Sequence, residues 1–480
     1  MPPGGMESLH QRRSSIDADG RRRKVRLGDV SGPFSAWRRR AFAALIAVYA
    51  ALPLLRAHGN PVILLDILHR RFFLFGGTFN AQDATLLFFL LAGGILGLFL
   101  VTALFGRLWC GWACPQTVFL EGVFRPLERW LEGSKDQQLR LAAKPWLSRR
   151  LGIGLAKHGL YLGAALLLSH VFLSYFVGVD QLKAWIFGDP ASHPTAFAWM
   201  ASLSLALYGN FAWFREQTCV ILCPYGRFQS ALTDEDTLVI GYDSLRGEPR
   251  GHRRAHATRE PALSAAGPLA AVEGAAVEAG DCVDCRRCVD VCPTAIDIRE
   301  GLQLECIGCA NCADACDDIM AKLGRPKGLV RYDSLRGLSG GPRRLWRPRL
   351  WIYLAVLLVL GGIGAYFAAA RRPFEATLMR QQGLPFQRDG LLLRNSYLLH
   401  LVNKTPDAAR FKIELVLPQG AAGLVPLPEV ALPSLGDLRV PLDVSLPQQG
   451  WGGEFEVVAR TTDLDTGKVV LSGSRFLGPS

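Results

Sequence analysis

One cysteine spacing, C-x2-C-x2-C-x3-C, occurs twice in this chain and constrains its fold more than any other feature. Pro293 follows the first run. The doubled spacing is typical of bacterial ferredoxins that bind two iron–sulfur clusters. A zinc site needs four ligands and no doubled spacing, and a disulfide framework needs an oxidising compartment, so both are weaker interpretations. The runs consist of Cys282, Cys285, Cys288 and Cys292, then Cys306, Cys309, Cys312 and Cys316.

The ligand sets are expected to cross between the two runs. In a two-cluster ferredoxin, the fourth cysteine of each run binds the other cluster. Asp317 follows the second run where proline follows the first. Proline is not a ligand, so we still expect two clusters, although a nearby carboxylate makes their reduction harder. The expected 4Fe–4S ligand sets are Cys282, Cys285, Cys288 and Cys316 for one cluster, and Cys292, Cys306, Cys309 and Cys312 for the other.

The composition indicates a membrane protein. Of the 480 residues, 50% are hydrophobic and 20% are charged, and the net charge is +12. This length is typical of roughly three domains. The basic residues cluster beside apolar runs, as they do in the cytoplasmic loops of membrane proteins. We therefore expect the lipid bilayer, and not nucleic acid, as a partner.

Five apolar stretches predict five transmembrane helices. Each is close to the ~20 residues that a helix needs to cross a bilayer, where only a helix satisfies its own backbone. Lys and Arg are dense in the N-terminal tail and in the loops after the second and fourth stretches, and the loop after the third has only Lys183. This alternation predicts a cytoplasmic N-terminus and ferredoxin segment, and a periplasmic C-terminal region, in a bacterial inner membrane. The stretches cover residues 41–55, 84–105, 153–177, 195–214 and 350–370.

The predicted fold is that of a multi-domain membrane protein. Short alternating apolar runs separated by turn residues predict an all-β sandwich after the last helix. An Ala/Gly/Pro/Glu-rich composition predicts a flexible linker before the cysteine runs. The domains are a disordered basic tail (1–36), four transmembrane helices (37–247), the linker (248–280), an α+β two-cluster ferredoxin domain (281–325), a connector (326–348), a fifth transmembrane helix (349–371) and the sandwich (372–480).

A six-residue string, Y-D-S-L-R-G, flanks the ferredoxin segment on both sides. It occurs at residues 242–247 and again at 332–337. Both copies lie close to predicted membrane helices, so we expect them to dock the ferredoxin domain onto the membrane part. Paired surface turns are the alternative interpretation.

The remaining four cysteines form two C-x3-C-P pairs, Cys110 with Cys114 and Cys219 with Cys223. Both pairs follow predicted membrane helices at the cytoplasmic face. Residues i and i+4 share one face of a helix, so we expect each pair to present two thiols side by side. Thiolates select Cu(I), and two pairs could together form one site of up to four sulfurs. Idle buried thiols, or a dithiol that cycles to a disulfide, are the alternatives.

Long motifs in this sequence resemble the cytochrome c oxidase accessory protein family, also called CcoG, FixG or RdxA. They are W-C-G-W-A-C-P-Q-T-V-F, C-V-I-L-C-P-Y-G-R-F-Q and the two cysteine runs, and the resemblance covers residues 37–480. It implies an immunoglobulin-like C-terminal domain and a role in assembling cbb3-type cytochrome c oxidase. It also implies reduction of Cu(II) to Cu(I). The candidate catalytic and copper-binding thiols are then Cys110, Cys114, Cys219 and Cys223.

This resemblance also implies partners: an electron donor, a copper transporter or chaperone, and oxidase assembly factors. Two other functions remain open. Membrane ferredoxins resembling NapH and NosR share C-x3-C-P pairs and pass quinol electrons to periplasmic reductases. The NapH type lacks a large outward domain after its clusters, and the NosR type has one before its helices, so this chain is less similar to both. The third possibility is a copper-binding scaffold without redox activity.

Overall fold

The computed structural model describes residues 24–57, 60–67, 71–80, 83–145, 149–251, 280–344, 346–405 and 407–479. Residues 252–279, which form most of the predicted linker, and the first 23 residues of the predicted tail lie outside this description. The chain divides into two compact units. Unit 1 comprises Met1–Ala51, Ala92–Phe172 and Trp185–Leu360, and unit 2 comprises Leu52–Leu91, Leu173–Ala184 and Gly361–Ser480.

Helices make up most of the chain before the C-terminal region. Short π-helical turns occupy Leu120–Phe124, Asn210–Phe214 and Thr218–Leu222. The helices are α1 Pro33–Ala51, α2 Ala84–Phe105, α3 Leu108–Trp112, α4 Pro115–Phe119, α5 Arg125–Glu132, α6 Lys135–Ala143, α7 Arg149–Val177, α8 Val179–Phe187, α9 Pro194–Gly209, α10 Pro224–Leu232, α11 Ser244–Gly247, α12 Arg287–Asp290, α13 Asn311–Lys322, α14 Leu335–Leu338 and α15 Pro348–Ala369.

A helix overlaps each of the five predicted spans, and three of these helices are long and apolar enough to cross a membrane. Among the described residues these three are α2, α7 and α15. Large apolar side chains such as Phe88 and Leu358 are exposed on them, as lipid-facing positions would be. Helix α1 carries three consecutive arginines, and α9 ends after 16 residues. The five-span count therefore stays a prediction.

Part of the basic tail is ordered, so the prediction of disorder up to residue 36 is wrong for its last section. Helix α1 begins at Pro33. Before it, Val25 is buried, and Nζ of Lys24 lies 2.8 Å from Oε1 of Glu128. The amide of Gly28 also donates a 2.8 Å hydrogen bond to the carbonyl oxygen of Asp290. These partners are distant in sequence, so a local polar composition did not reveal them.

The cysteine runs belong to a small α+β region of unit 1 that extends beyond the predicted boundaries 281–325. Strand β6 (Val239–Tyr242) pairs antiparallel with β7 (Val330–Asp333), and helices α12 and α13 lie between them in sequence. Each Y-D-S-L-R-G copy therefore ends one strand of this pair and continues into a helical turn. Nη1 of Arg331 lies 2.7 Å from Oδ2 of Asp243 and links the two copies.

Unit 2 contains two antiparallel sheets that confirm the predicted all-β sandwich. Alternate residues of the longest strand face the core, where Phe374, Phe411 and Phe476 are buried. The strands are β8 Phe374–Arg380, β9 Gln387–Asp389, β10 Leu392–Asn403, β11 Ala409–Val416, β12 Ala422–Leu424, β13 Glu429–Leu432, β14 Asp437–Pro447, β15 Phe455–Asp463 and β16 Val469–Phe476. The strand order in one sheet is β12-β14-β10-β8, with β9 also paired to β10, and the order in the other sheet is β13-β11-β15-β16.

Short strands between α1 and α2, which the sequence analysis missed, also belong to unit 2. They form one two-stranded and one three-stranded antiparallel sheet. After them, the buried carboxylate of Asp83 lies 2.7 Å from Arg371 and 3.3 Å from Lys404. These ion pairs connect the segment to the start of the sandwich. The strands are β1 Arg56–Ala57, β2 Asn60–Pro61, β3 Ile63–Asp66, β4 Arg71–Leu74 and β5 Gly77–Asn80.

Candidate functional site

The first predicted ligand set lines a single cavity in the α+β region. Apolar residues, including Leu329 and Val330, also line this cavity. Asp284 and Arg286 have φ values of 53° and 54°, so the loop between the cysteines turns through the left-handed region. The fourth thiol comes from α13, the helix that carries the last two cysteines of the second run. The cysteines that line this cavity are Cys282, Cys285, Cys288 and Cys316.

The second predicted ligand set lines a neighbouring cavity with strongly apolar walls. Ile296, Ile298 and Ile307 contribute to these walls, and Cys288 of the first set also reaches them. Four thiols in an apolar enclosure fit a 4Fe–4S cluster, which cysteine thiolates hold. The cysteines of the second set that line this cavity are Cys292, Cys306, Cys309 and Cys312.

Single-ion sites are absent from the part of the chain that the structure describes. There, no three His, Cys, Asp or Glu side chains are arranged to hold one metal ion. This finding applies to the two cysteine sets and to the two C-x3-C-P pairs alike, so the structure shows no preformed single-ion site at any of them.

The expectation that each C-x3-C-P pair lies on one continuous helix is wrong. Cys114 lies between α3 and α4 with an extended backbone (φ −60°, ψ 127°). Cys223 precedes α10 with a similar conformation (φ −73°, ψ 111°). The prolines that follow them are the cause, because the residue before a proline is disfavoured in the helical region. Each pair therefore combines one helical cysteine with one at a helix boundary.

The two pairs nevertheless meet, and we call Cys110, Cys114, Cys219 and Cys223 the thiol quartet. Burial, followed by the Cys114 thiol, raises the pKa of Cys110 to about 11. Burial and the other three thiols of the quartet raise the pKa of Cys219 to about 12. Sγ of Cys110 also lies 3.6 Å from Oε1 of Gln229 on α10, the helix that begins directly after Cys223. A cation that binds here has to displace protons at neutral pH.

Hydrogen bonds join the two segments that carry the quartet. Nδ2 of Asn210 donates to Oε1 of Gln116 at 2.7 Å, and Nε2 of Gln116 donates to the carbonyl oxygen of Arg215 at 2.9 Å. Oγ1 of Thr218 donates to Oδ1 of Asn210 at 2.5 Å. Gln116 follows Cys114 by two residues and Thr218 precedes Cys219. This network therefore holds the two motifs together.

The segment that carries Cys110 packs directly on the loop that carries Cys306 and Cys309 of the second ligand set. A Cβ atom on Gly111 would lie 2.6 Å from the carbonyl oxygen of Ile307 and 3.0 Å from Cα of Cys309. Nη1 of Arg107 donates to the carbonyl oxygen of Cys306 at 3.3 Å, and its Nη2 donates to that of Gly226 at 2.7 Å. Arg107 thus bridges the cluster loop and the helix that follows Cys223.

The second Y-D-S-L-R-G copy joins the same interface through Tyr332. Its hydroxyl donates to the carbonyl oxygen of Gly308 at 2.6 Å and accepts a hydrogen bond from Nε1 of Trp112 at 3.0 Å. Sequence reasoning missed Arg107, Trp112 and Tyr332 as site residues. Their position inside the recurring motifs was the available signal.

Helix α1 contacts both halves of the site. Nε of Arg38 donates to the carbonyl oxygen of Gly111 at 2.9 Å, and its Nη1 donates to Oδ1 of Asn311 at 3.0 Å. Asp314 of α13 accepts hydrogen bonds from the amides of Phe34 and Ser35 at 3.2 and 2.6 Å. A carboxylate at a helix N-terminus accepts hydrogen bonds from the free amides there and interacts favourably with the positive end of the helix dipole. The start of α1 is therefore anchored to the ferredoxin region.

Profiles of known families match three parts of the chain. A 4Fe-4S binding domain matches residues 86–153, and a 4Fe-4S dicluster domain matches residues 214–335. A domain described as an IG-like fold at the C-terminal of FixG matches residues 364–479.

Curated relatives match over most of the chain. Protein RdxA of Cereibacter sphaeroides is 35% identical over 413 residues, which cover 83% of this chain and 82% of RdxA. The nitrogen fixation protein FixG of Rhizobium meliloti is 33% identical over 430 residues, covering 81% of this chain and 78% of FixG. This chain belongs to the FixG/RdxA family. Protein RdxB of Cereibacter sphaeroides, 36% identical over 402 residues, covers 80% of both chains.

Membership of the FixG/RdxA family makes this chain an iron–sulfur electron-transfer membrane protein. A crystal structure of a FixG-related protein from Vibrio parahaemolyticus aligns with 23% of this chain at 15% identity. Its TM-score of 0.21 is too low for an argument from shape.

Asp317 and the two histidines of α7 have structural partners. Asp317, which replaces the proline after the second run, accepts a 2.8 Å hydrogen bond from the amide of Gly328. Nδ1 of His158 lies 2.9 Å from the hydroxyl of Tyr208, and Nδ1 of His170 lies 2.7 Å from the carbonyl oxygen of Leu166. Each histidine thus has a protein oxygen as the hydrogen-bond partner of its Nδ1, which is typical of an interior histidine and not of a metal ligand.

Proposed function

We propose that this chain is a membrane-bound cupric reductase that supports copper insertion during assembly of cbb3-type cytochrome c oxidase. One observation carries the proposal: Gly111, the residue after Cys110 of the thiol quartet, packs against the backbone of Cys309 in the second cysteine set. Clusters bound by the two cysteine sets would supply one-electron transfer. Cu(II) is the substrate, and one electron converts it to Cu(I).

The quartet suits the cuprous product. Thiolates are soft ligands and favour Cu(I), so their binding makes reduction of the cupric ion more favourable. The raised pKa values of Cys110 and Cys219 keep these thiols protonated until the metal displaces the protons. The four thiols are half-buried, which restricts contact between bound Cu(I) and solvent. The ion would then pass to a copper transporter or chaperone.

The topology remains part of the proposal: five spans in the inner membrane, with the ferredoxin region in the cytoplasm and the sandwich in the periplasm. The division into units supports it. Unit 2 consists of Leu52–Leu91, Leu173–Ala184 and Gly361–Ser480, and each of these ranges begins near the end of the first, third or fifth predicted span and continues beyond it. The segments with dense arginine and lysine belong to unit 1. This is the alternation that a multi-pass chain requires.

The test uses the whole chain, purified anaerobically with its clusters reduced and the excess reductant removed. We expect Cu(II) to reoxidise the clusters, which visible absorbance follows, and a Cu(I)-specific chelator dye to report the product. Cys110→Ser/Cys114→Ser should slow this reaction strongly without lowering the iron content. Ala113→Ser is the matched control, because it adds a hydroxyl between the two cysteines and removes no thiol. Reduced clusters that never reoxidise with copper would overturn the proposal.

A second candidate function is favoured by the profile match at residues 86–153. That match is described as a 4Fe-4S binding domain, although Cys110 and Cys114 are its only cysteines. Together with Cys219 and Cys223 they supply the four thiols that a cluster needs. The chain would then only relay electrons, for instance from a quinol to a periplasmic reductase. A third cluster predicts about twelve irons per chain instead of about eight. An iron count therefore separates the two candidates.

A further inference from the structure

A cavity of about 140 Å³ beside helix α1 is lined by an excess of arginines. Two carboxylates, those of Glu121 and Glu128, face six guanidinium groups across it. We call it the arginine cavity. No cysteine of the two sets or of the thiol quartet lines it. The arginines that line it are Arg26, Arg38, Arg39, Arg125, Arg129 and Arg215.

The carboxylates of this region are already engaged and do not balance its positive charge. Glu128 accepts hydrogen bonds of 3.2 and 2.8 Å from the two Nη atoms of Arg215, and Lys24 lies 2.8 Å from it. Glu121 pairs with Arg125 and lies 3.9 Å from Nη2 of Arg38. The six arginines and two glutamates of the cavity are paired with five further charged groups, so that the whole cluster has eight cations and five anions. The five further groups are Lys24, Lys157, Asp29, Glu132 and Glu216.

Several arginines of the cavity also retain hydrogen-bonding capacity. Within the described part of the chain, Nη2 of Arg38 and Nε of Arg26, Arg125 and Arg215 are buried N–H donors without an acceptor. Arg38 and Arg215 are only 4% exposed. A buried charged donor without an acceptor destabilises the fold. The fold thus gathers donors that an anion with several oxygen acceptors would satisfy.

The backbone at Arg215 supports a specific role for this side chain. Its φ of 51° and ψ of −118° lie in a region that non-glycine residues rarely adopt. Such conformations cost free energy and persist where the surrounding structure enforces them. At Arg215 the enforced conformation places a guanidinium group in the cavity wall, where it binds Glu128.

We propose that the arginine cavity binds a phosphate oxyanion, supplied either as free phosphate or by the headgroup of a membrane lipid. Guanidinium groups donate paired hydrogen bonds that match phosphate oxygens. The volume suits one tetrahedral anion, whereas ligands of nucleotide size occupy pockets of about 300 Å³ or more. A lipid source is compatible with α1, because Phe42 lines the cavity and Leu45 and Val48 are exposed further along the helix.

This binding would reach the redox site through Arg38. The same side chain lines the cavity, donates to the carbonyl oxygen of Gly111 and holds Asn311 next to Cys312. An anion that fixes its guanidinium group would therefore stabilise the contact between the thiol quartet segment and the second cysteine set. The inference does not depend on copper as the substrate.

The test measures the thermal stability of the whole cluster-loaded chain. In one comparison, inorganic phosphate should raise Tm relative to chloride at equal ionic strength. In the other, phosphatidylglycerol nanodiscs should raise Tm relative to nanodiscs of a galactolipid, which has no phosphate. A response to free phosphate alone identifies that source, and a response to the phospholipid alone identifies the headgroup. No response to either overturns the proposal.

Two double variants then test the cavity itself. Arg39→Gln/Arg129→Gln removes two cavity arginines and should weaken the phosphate response by about tenfold. Arg40→Gln/Arg140→Gln removes two exposed charges that do not line the cavity, and it should respond like the wild type. The proposal of a specific site would be contradicted if both variants lost the phosphate response equally, or if the first variant kept it in full. If the first variant loses iron, Arg39→Gln alone serves, because Arg39 is exposed.

Discussion

Gly111 lies against Cys309 so closely that a Cβ atom on the glycine would stand 3.0 Å from the Cα of the cysteine. The same atom would lie 2.6 Å from the carbonyl oxygen of Ile307. Gly111 is the residue after Cys110, and Cys309 belongs to the second ligand set. A motif of the membrane part and a motif of the ferredoxin region thus touch backbone to backbone. This contact explains why position 111, near two tryptophans, is a glycine: a residue with a Cβ atom would collide with the cluster loop.

Replacing this glycine should loosen the contact. Gly111→Ala forces the cluster loop to shift, because real Cβ atoms do not approach backbone atoms so closely, and should cost about 1–3 kcal/mol. We expect a lower Tm and slower reoxidation of reduced clusters by copper. Gly97→Ala is the control, since its Cβ would meet no atom within 4 Å. Equal melting temperatures for the two variants would contradict the steric argument.

The anchor of helix α1 is testable at Asp314. Asp314 is 2% exposed, and its carboxylate accepts hydrogen bonds from the backbone amides of Phe34 and Ser35. Asp314→Ala should destabilise the folded protein by about 1–2 kcal/mol, the usual cost of losing a helix cap. Hydrogen exchange should also increase in the first turn of α1. Asp318→Ala, on the exposed side of the same helix, should change neither quantity measurably.

The crossed cysteine sets predict which variants behave alike. Cys316→Ser should perturb the same cluster signal as Cys285→Ser, because both thiols line the first cavity. Cys292→Ser should perturb the same signal as Cys309→Ser. Each variant should lose about four irons, and electron paramagnetic resonance of the reduced protein can tell the clusters apart. If Cys316→Ser instead matched Cys309→Ser, the sets would follow the sequence runs.

The buried carboxylate of Glu128 predicts a dependence of stability on pH. Burial alone would raise the pKa of Glu128, but the charge and hydrogen bonds of Arg215, followed by those of Lys24, outweigh it and hold this pKa well below its usual value. The stabilising contribution is then complete above about pH 4.5 and is lost as the pH falls through the folded-state pKa. We expect the Tm of the wild type to fall steeply below that pH.

Two variants assign that pH dependence. Glu128→Gln should have a lower Tm at pH 7 and a flatter profile below about pH 4.5, since it has no carboxylate to protonate there. Glu235→Gln removes an exposed carboxylate that pairs with Arg336, and should retain the wild-type profile. A steep wild-type profile that persisted in Glu128→Gln would assign the effect to other carboxylates.

Local patterns in the sequence were sufficient to predict how the eight cysteines divide between two cavities, the apolar helices and most of the sandwich. Cysteine spacing within a run is a local property, and the crossing of Cys292 and Cys316 follows from the rule for doubled runs. Strand alternation in β10 and β14 is equally local, because successive side chains point to opposite faces. Pro115 and Pro224 were also visible, and their effect on the preceding cysteines was predictable but overlooked.

Only the tertiary structure brought the two C-x3-C-P motifs together and placed them on the second cysteine set. The pairing of β6 with β7, the ordered residues before α1 and the arginine cavity likewise depend on partners far apart in sequence. Such contacts are decided by packing and by the burial of charge over the whole fold, to which each residue contributes little by itself. Arg38 shows this clearly: it resembled one of several membrane-flanking arginines, and the fold made it the link between Gly111 and Asn311.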